Sequence, residues 1–269
     1  MQNNKENNKE IIMNIKIVVA MHKKYKVPKD DIYLPLHVGA EGKEDIGFTG
    51  DNTGENISIK NPFWCELTGL YWAWKNLDYD YLGLVHYRRH FKGKTKSNDK
   101  LATVIKKSEA ENILKQTDVI LPTKRHYFIE TLYSHYKHTH YIKDLETTKQ
   151  IIKEKYPEYL NAFNGVMKRK SAHMFNMFVM KKDLVNQYCS FIFGILFELE
   201  KQINISDYNR YQSRVFGFVS ELLLDVWIEK NELKYIEIPV VNMEKTNWLK
   251  KGYSFLMAKF FNKKYDGSF

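Results

Sequence analysis

Five consecutive residues form the densest group of chemically capable side chains in the sequence: His86, Tyr87, Arg88, Arg89 and His90. They follow Tyr81–Val85, a short apolar run that is typical of a buried strand. In open α/β sheets, ligands bind beyond the carboxyl ends of the strands. A guanidinium group binds phosphate through two parallel hydrogen bonds and keeps its charge. The pattern therefore predicts a diphosphate or other anion site, the alternative being solvated side chains at an exposed strand end.

Asp78 and Asp80 have the spacing of a carboxylate pair that holds a divalent cation against a pyrophosphate. They precede the predicted strand, however, and so belong to its amino end. We interpret them as part of a helix-to-strand turn, and a metal site formed by this pair is kept as the alternative.

A loop rich in glycine and asparagine, residues 47–61, contains the second candidate group. Within Gly50–Asn56, glycine permits close backbone approach, while asparagine and aspartate can bind ribose, base or phosphate. Loops of this length inside a compact domain are usually functional or disordered. The loop matches neither a P-loop nor the GxGxxG pattern, and a flexible surface loop is the alternative interpretation.

Glu221 is a carboxylate within the otherwise apolar predicted helix 213–230. A half-buried carboxylate facing a cleft is a candidate general base, and an ion pair with Arg214 is the alternative. His173 directly precedes a predicted strand, 174–180, and Asn176 lies near its start; both could hydrogen-bond a sugar hydroxyl there.

Three histidines, His135, His138 and His140, lie within an aromatic stretch. A metal site would need a further converging ligand. We therefore favour a surface that contacts an acceptor or a phosphate.

The chain has 269 residues, a net charge of +10 and 43% hydrophobic residues, enough for a substantial core. The positive charge favours anionic partners, but the lysines and arginines are dispersed, which disfavours nucleic acid. The two cysteines lack metal-site spacing and are predicted to be free thiols in the cytoplasm. The longest apolar segment, 188–199, is shorter than the roughly 20 residues that span a bilayer.

The elements predicted to position these residues alternate between strands and helices, as in α/β folds. The strand 15–21 ends before His22 and Lys23, and the apolar run 32–38 leads into a turn that begins at Gly39. Further predicted helices cover 66–76, 108–115, 145–155 and 183–202, and further strands 118–121 and 235–241. We predict a disordered segment 1–12, one domain over 13–247, and a basic aromatic tail, 248–269, that either lies on a membrane surface or packs on the body.

Five segments resemble a family of bacterial glycosyltransferases of capsular and exopolysaccharide biosynthesis, formerly a domain of unknown function. They are KIVVAMHKKYKVPKDDIYLPLHVGAEGK, GFTGDNTGENISIKNPFWCELTGLYWAWKN, DYLGLVHYRRHF, HMFNMFVMKKDLVNQYCSFIF and FGFVSELLLDVW. The resemblance implies an α/β, GT-A-like (Rossmann-like) nucleotide-sugar-binding sheet flanked by helices in a single domain. In the GT-A fold, a strand like 81–88 ends in a metal-binding acidic pair, whereas this sequence has His86, Tyr87 and Arg88 there.

The resemblance implies transfer of a hexosyl unit, galactose or galactofuranose, from a UDP-sugar to a lipid-diphosphate-linked oligosaccharide. The donor would be held by these residues: His22, Lys23, Gly39, Asp51, Asn52, Asn56, Tyr87 and Arg89. His86 and Arg88 would join Arg89 on the diphosphate in place of a metal cofactor. By position in the fold, His173 and Asn176 would bind sugar or acceptor, and Glu221 would be the base.

The expected location is the cytoplasm, at the inner face of the cytoplasmic membrane, with the tail as the contact. Two alternatives to this function stay open. One is a metal-dependent enzyme that uses Asp78 and Asp80, and the other is a non-catalytic module that binds anionic glycan or nucleic acid.

Overall fold

One mixed β-sheet organises the fold in a computed structural model that describes residues 13–127 and 129–244. The strands in chain order are β1 Ile15–Met21, β2 Tyr33–His37, β3 Thr49–Gly50, β4 Tyr81–His86, β5 Arg89–Phe91, β6 Val119–Pro122, β7 Arg125–His126, β8 Ser171–Ala172, β9 Phe178–Lys181, β10 Ile236–Ile238 and β11 Val240–Asn242. The helices are α1 Asn61–Trp64, α2 Leu67–Asn76, α3 Lys107–Leu114, α4 Leu132–Thr139, α5 Ile142–Lys155, α6 Leu160–Met167, α7 Lys182–Gln202 and α8 Val215–Lys230.

The main sheet has the order β10-β6-β9-β4-β1-β2-β3, and β5 pairs with both β4 and β11. Strands β1, β2 and β4 are parallel neighbours, with β1 between the other two. Strand β9 runs antiparallel to both of its neighbours, β4 and β6. The carboxyl ends of β1, β2 and β4 therefore lie at the same edge.

Side chains of β1 alternate between two buried cores. Val18 and Ala20 pack on the side that carries α2 and α5 to α8, whereas Ile17 and Val19 pack on the side that carries α3. Burial of both faces explains why the strand is a nearly continuous apolar run.

Glycine is required at position 83 in the middle of β4. A Cβ atom there would lie 3.0 Å from the Phe178 carbonyl oxygen and 3.1 Å from the Ile17 side chain. The absence of a side chain thus lets β1, β4 and β9 pack closely at the centre of the sheet.

Most predicted elements are confirmed, including β1, β4, β6, α2, α3, α5, α7 and α8. Two strand predictions are wrong in extent. The strand expected over 174–180 begins only at Phe178, because Phe175 and Asn176 have left-handed backbone, with φ of 76° and 52°. The strand expected over 235–241 is split at Pro239, which lacks the N–H that a continuous ladder needs.

The strands β2, β3, β5, β7 and β8 and the helices α1, α4 and α6 were not predicted. None of the helices within 13–127 and 129–244 combines the length and apolar character needed to cross a bilayer. The N-terminal segment 1–12 and the tail 248–269, for which disorder and membrane contact were predicted, lie outside the described residues.

Candidate active site

A pocket of about 710 Å³ opens at the carboxyl ends of β1, β2 and β4. It is lined by Ala20, His22, Val38, Lys43, Asn61, Pro62, Phe63, Cys65, Glu66, His86, Tyr87, Arg88, Arg210, Tyr211, Ser213 and Arg214. Four of these side chains are lysine or arginine and only one is a carboxylate. The pocket is therefore suited to an anionic ligand.

The parallel register of β1 and β4 brings the first group of predicted residues together. Ala20 is paired with His86, and the Tyr87 amide donates to the Ala20 carbonyl at 3.2 Å. Beyond this point the Tyr87 ring packs edge-on against His22, with ring centres 5.0 Å apart. Burial and the charge of Arg88 lower the pKa of His22, which favours its neutral form.

Lys23, which does not line the pocket, and Arg88, which does, share one carboxylate partner. Glu244 lies 3.7 Å from Lys23 Nζ and 3.6 Å from Arg88 Nη1. The Nε atom of Arg88 is buried without a hydrogen-bond partner among the described residues. Arg88 lines the pocket, and its terminal nitrogens make no hydrogen bond with the described residues, so they retain hydrogen-bonding capacity for a ligand.

Strand β4 ends at His86, and the chain turns back to form β5. The turn separates the two arginines, since Arg88 lines the pocket and Arg89 does not. Arg89 instead lies over the Phe175 ring, 4.3 Å from its centre. The same reversal buries His90 in the apolar core, where burial lowers its pKa to about 4.

His86 belongs to a hydrogen-bonded group at the base of the pocket. Its Nε2 lies 2.6 Å from the Phe175 carbonyl oxygen and 4.0 Å from Glu66 Oε1. Glu66 accepts a hydrogen bond from the Asn176 amide at 2.7 Å, and Asn176 accepts one from the Ser220 hydroxyl at 2.9 Å. Burial lowers the pKa of His86, and the nearby Glu66 carboxylate opposes that effect.

Glu66 was not predicted from the sequence. It directly precedes α2, and its partner Asn176 is 110 residues away in the chain. The sequence carries no signal for this contact beyond a carboxylate next to a predicted helix. Lys43, Arg210 and Arg214 are further pocket residues that were not proposed as ligands.

Glu221 lies in the first two turns of α8 and directly follows Ser220, which bonds to this group, but it does not line the pocket. Burial and the charge of Glu66 raise its pKa to about 7, while Arg89, Arg125 and Arg214 lower it. The expected alternative, an ion pair with Arg214, is not formed, because Arg214 Nε donates to the Cys65 sulfur at 3.0 Å. The Glu221 carboxylate makes no hydrogen bond or ion pair with any residue that the structure describes. A free carboxylate with a pKa near 7 is suited to accept a proton.

Asp51 lies behind the pocket and holds the backbone that follows β2. Its buried carboxylate accepts hydrogen bonds from the amides of Gly39 and Ala40 at 2.9 and 3.0 Å, and from the Ser58 hydroxyl. Gly39 has φ of 64°, and a Cβ atom there would overlap the Asn61 side chain. Asp51 and Gly39 therefore fix the path of the chain after β2, and neither lines the pocket.

The other loop asparagines also lie outside the pocket lining. Asn52 is exposed. Asn56 accepts from the Ser58 amide at 3.1 Å and donates to the Gly54 carbonyl at 3.1 Å. Direct contact of either residue with a nucleotide stays a prediction.

The structure buries His173 and Asn176. The His173 ring contacts Asp225 through Nδ1 and Glu237 through Nε2, the latter at 3.2 Å. These contacts join α8 to β10, so the ring has no nitrogen left for a sugar. Asn176 holds Glu66 and so supports the pocket from within the protein.

Asp78 and Asp80 lie at the amino end of β4, opposite the pocket. Asp78 pairs with Lys182 at 3.0 Å, and Asp80 accepts from the Asn14 amide at 2.8 Å, which fits the predicted turn. His135 and His138 contact Glu130 at 3.2 and 2.6 Å. Across 13–127 and 129–244, no three His, Cys, Asp or Glu side chains are grouped so that they could hold a metal ion.

Residues 16–232 match the family described as "Domain of unknown function (DUF4422)". The chain belongs to this family. A solved structure described as "WbbM bifunctional glycosytransferase apo structure" is 32% identical to it, with a TM-score of 0.81. The match covers 86% of this DUF4422 chain and 46% of that chain. No match was found among curated proteins.

The similarity confirms two expectations from the sequence. One is the GT-A-like α/β fold with a sheet flanked by helices, and the other is the relationship to a glycosyltransferase family. This DUF4422 chain spans less than half the length of the bifunctional protein.

Proposed function

We propose that this chain is a glycosyltransferase that moves a hexosyl unit from a UDP-sugar to an acceptor hydroxyl. The observation that carries the proposal is the cationic pocket at the ends of β1, β2 and β4, with Glu221 beside it. The position matches the general rule for ligand sites in α/β sheets. The 32% identity to part of a glycosyltransferase supports the same reaction class.

The arginines would carry out the electrostatic part of the reaction. When the bond between the sugar and UDP breaks, negative charge develops on the departing diphosphate. Arg88, Arg210 and Arg214 are fixed positive charges at the pocket, and preorganised charges stabilise such a leaving group without rearrangement. We propose that they act where many related enzymes use a metal ion. His86, whose pKa is lowered by burial and whose Nε2 donates to the Phe175 carbonyl oxygen, would line the site beside them without adding a charge.

Glu221 would act on the acceptor if the reaction inverts the anomeric centre. The acceptor oxygen forms a bond to the anomeric carbon, the bond from that carbon to the UDP oxygen breaks, and the acceptor proton passes to Glu221. A base with a pKa of about 7 is half deprotonated at neutral pH and can then accept this proton.

The identity of the substrates rests on the family resemblance. We propose galactose or galactofuranose as the sugar and a lipid-diphosphate-linked oligosaccharide as the acceptor, in capsular or exopolysaccharide synthesis. The tail 248–269, outside the described residues, is proposed as the contact to the cytoplasmic membrane.

A thermal-shift panel of UDP-, GDP- and CMP-sugars, each with and without EDTA, tests the proposed function. We expect UDP-sugars to raise the melting temperature in both conditions, since a ligand at 100 times its Kd stabilises the native state by about 2.7 kcal/mol. No stabilisation by any nucleotide would contradict the enzyme proposal. If EDTA removed the stabilisation by UDP-sugars, and the Asp78→Asn variant also lacked it without EDTA, the metal-dependent alternative would be supported instead.

Replacement of Glu244 is expected to tighten nucleotide binding. Its carboxylate pairs with Lys23 and Arg88, and it is 42% exposed, so a diphosphate must compete with it for these cations. Exposed ion pairs contribute about 0–1 kcal/mol each. We therefore expect Glu244→Gln to lower the Kd for UDP about two- to tenfold by calorimetry, with a smaller effect in high salt.

Glu229→Gln is the matched control, because Glu229 pairs with Arg169 away from the pocket. Its Kd should equal that of the wild type. A Glu244→Gln variant that binds UDP no better than Glu229→Gln would show that Glu244 does not compete with the ligand.

A further inference from the structure

We propose that Arg89 and Arg125 form a second anion site beside Glu221, outside the walls of the donor pocket, that binds a negatively charged group of the acceptor. The inference rests on the proposed glycosyltransferase function and adds a substrate class to it. It implies that the acceptor carries a phosphate or a carboxylate close to the hydroxyl that reacts.

Arg89 is held in place by an aromatic ring. It lies on β5, directly opposite His86 in the β4–β5 turn, and its guanidinium carbon is 4.3 Å from the centre of the Phe175 ring. Stacking leaves the in-plane N–H groups of a guanidinium free to bind an anion. The Arg89 guanidinium makes no hydrogen bond or ion pair within the described part of the chain.

Arg125 is held in the same way on a different strand. Its guanidinium carbon is 4.9 Å from the centre of the Tyr127 ring, and its backbone pairs with Ala172 across β7 and β8. Within residues 13–127 and 129–244, its guanidinium also has no hydrogen-bond or ion-pair partner. Both arginines are therefore ordered by stacking and keep their donors unused.

The short segment from β8 to β9 brings the two arginines to Glu221. Ala172 pairs with Arg125, and Phe175 lies under Arg89. Asn176 then bonds to Ser220, the residue before Glu221. The positions of the two stacked arginines are thus tied to the start of α8.

Charge at this point is unbalanced. Both guanidinium groups act on the Glu221 carboxylate, and Arg125 also acts on Arg89. Together with Arg88 and Arg214, four guanidinium groups act in a cluster that contains three carboxylates, Glu66, Glu221 and Glu244, the last paired with Arg88. The donor diphosphate would occupy the arginines that line the pocket, which leaves Arg89 and Arg125 for a separate anion.

The position of the Arg89–Arg125 site beside Glu221 indicates which part of the acceptor would carry the anion. An acceptor hydroxyl must reach Glu221 to lose its proton, so an anion bound by Arg89 and Arg125 belongs to the same sugar or to its nearest substituent. A sugar phosphate and a uronic acid share this chemistry, and bidentate binding by arginine suits both.

Calorimetric titration of the full chain, with and without saturating UDP, tests the inference. The probes are glucose 1-phosphate, glucuronic acid and neutral methyl glucoside. We expect at least one anionic probe to bind at least tenfold more tightly than methyl glucoside. Binding of glucose 1-phosphate alone would indicate an acceptor phosphate, and binding of glucuronic acid alone an acceptor carboxylate.

Arg125→Ala and Arg125→Gln should each weaken the anionic probe at least tenfold and leave the Kd for UDP within twofold of wild type. Arg169→Ala, which removes an arginine that pairs with Glu229 elsewhere, is the control and should behave as the wild type. A melting curve shows whether each variant is folded.

Equal binding of charged and neutral probes would overturn the inference, as would unchanged probe binding in both Arg125 variants. Loss of UDP binding in those variants would assign Arg125 to the donor site instead. If the wild type failed to bind UDP, the proposed glycosyltransferase function would be contradicted. The anion site would still be tested, because the anionic probes are also titrated without UDP.

Discussion

Glu221→Gln is expected to lower kcat by about 10²–10⁴ at pH 8, the usual contribution of a general base, with the Kd for UDP unchanged. Glutamine fills nearly the same space but cannot accept the acceptor proton. Single-turnover transfer from the UDP-sugar is the direct measurement.

The pH profile makes this prediction specific. The pKa of Glu221 is raised to about 7, and only the deprotonated carboxylate is a base. The wild-type kcat should therefore rise with pH through about 7 and then level off, and Glu221→Gln should lose that rise.

Glu66→Gln provides a second check on the same profile. The Glu66 charge is one of the two causes that raise the pKa of Glu221, so its removal should move the midpoint to lower pH. A Glu221→Gln variant that keeps the wild-type rate and profile would show that the base is another group.

Asp51→Ala is expected to destabilise the protein by about 3 kcal/mol or more. The substitution leaves two buried backbone amides and the Ser58 hydroxyl without their acceptor, and an unsatisfied buried group costs about 1–3 kcal/mol. Urea unfolding should show a lower midpoint with an unchanged m-value. UDP affinity should fall as well, since Gly39 and Ala40 would lose their fixed position after β2.

Asp45→Ala tests whether the effect depends on burial. Asp45 accepts one amide, from Gly47 at 2.7 Å, in an exposed part of the chain, and its loss should cost at most about 0.5 kcal/mol. Equal stability of the Asp51→Ala and Asp45→Ala variants would contradict the role that we assign to the buried carboxylate.

The sheet and the position of the site could be predicted because their signals are local. An apolar run such as Ile15–Met21 must be buried on both faces, and polar residues directly after such a run must lie at the edge of the sheet. His22, His86 and Arg88 were found by this logic, and they line one pocket.

What could not be predicted depends on contacts between distant parts of the chain. Glu66 and Asn176 meet across 110 residues, and the left-handed backbone of Phe175 and Asn176 involves no glycine that would signal it. Asp51 shows a second limit of prediction from the sequence. Its type and glycine-rich surroundings suit a ligand contact, yet only the fold reveals that its carboxylate points to backbone amides.

The place of β9 in the sheet has a consequence for synthesis of the chain. β9 fills the position between β4 and β6, and 95 residues separate the last residue of β4, His86, from the last residue of β9, Lys181. At ribosomal rates of about 5–20 residues per second, β4 waits roughly 5–20 s for this neighbour. During that time its open edge could pair with another nascent chain. We therefore expect the protein to depend on protection of this edge while it is being translated.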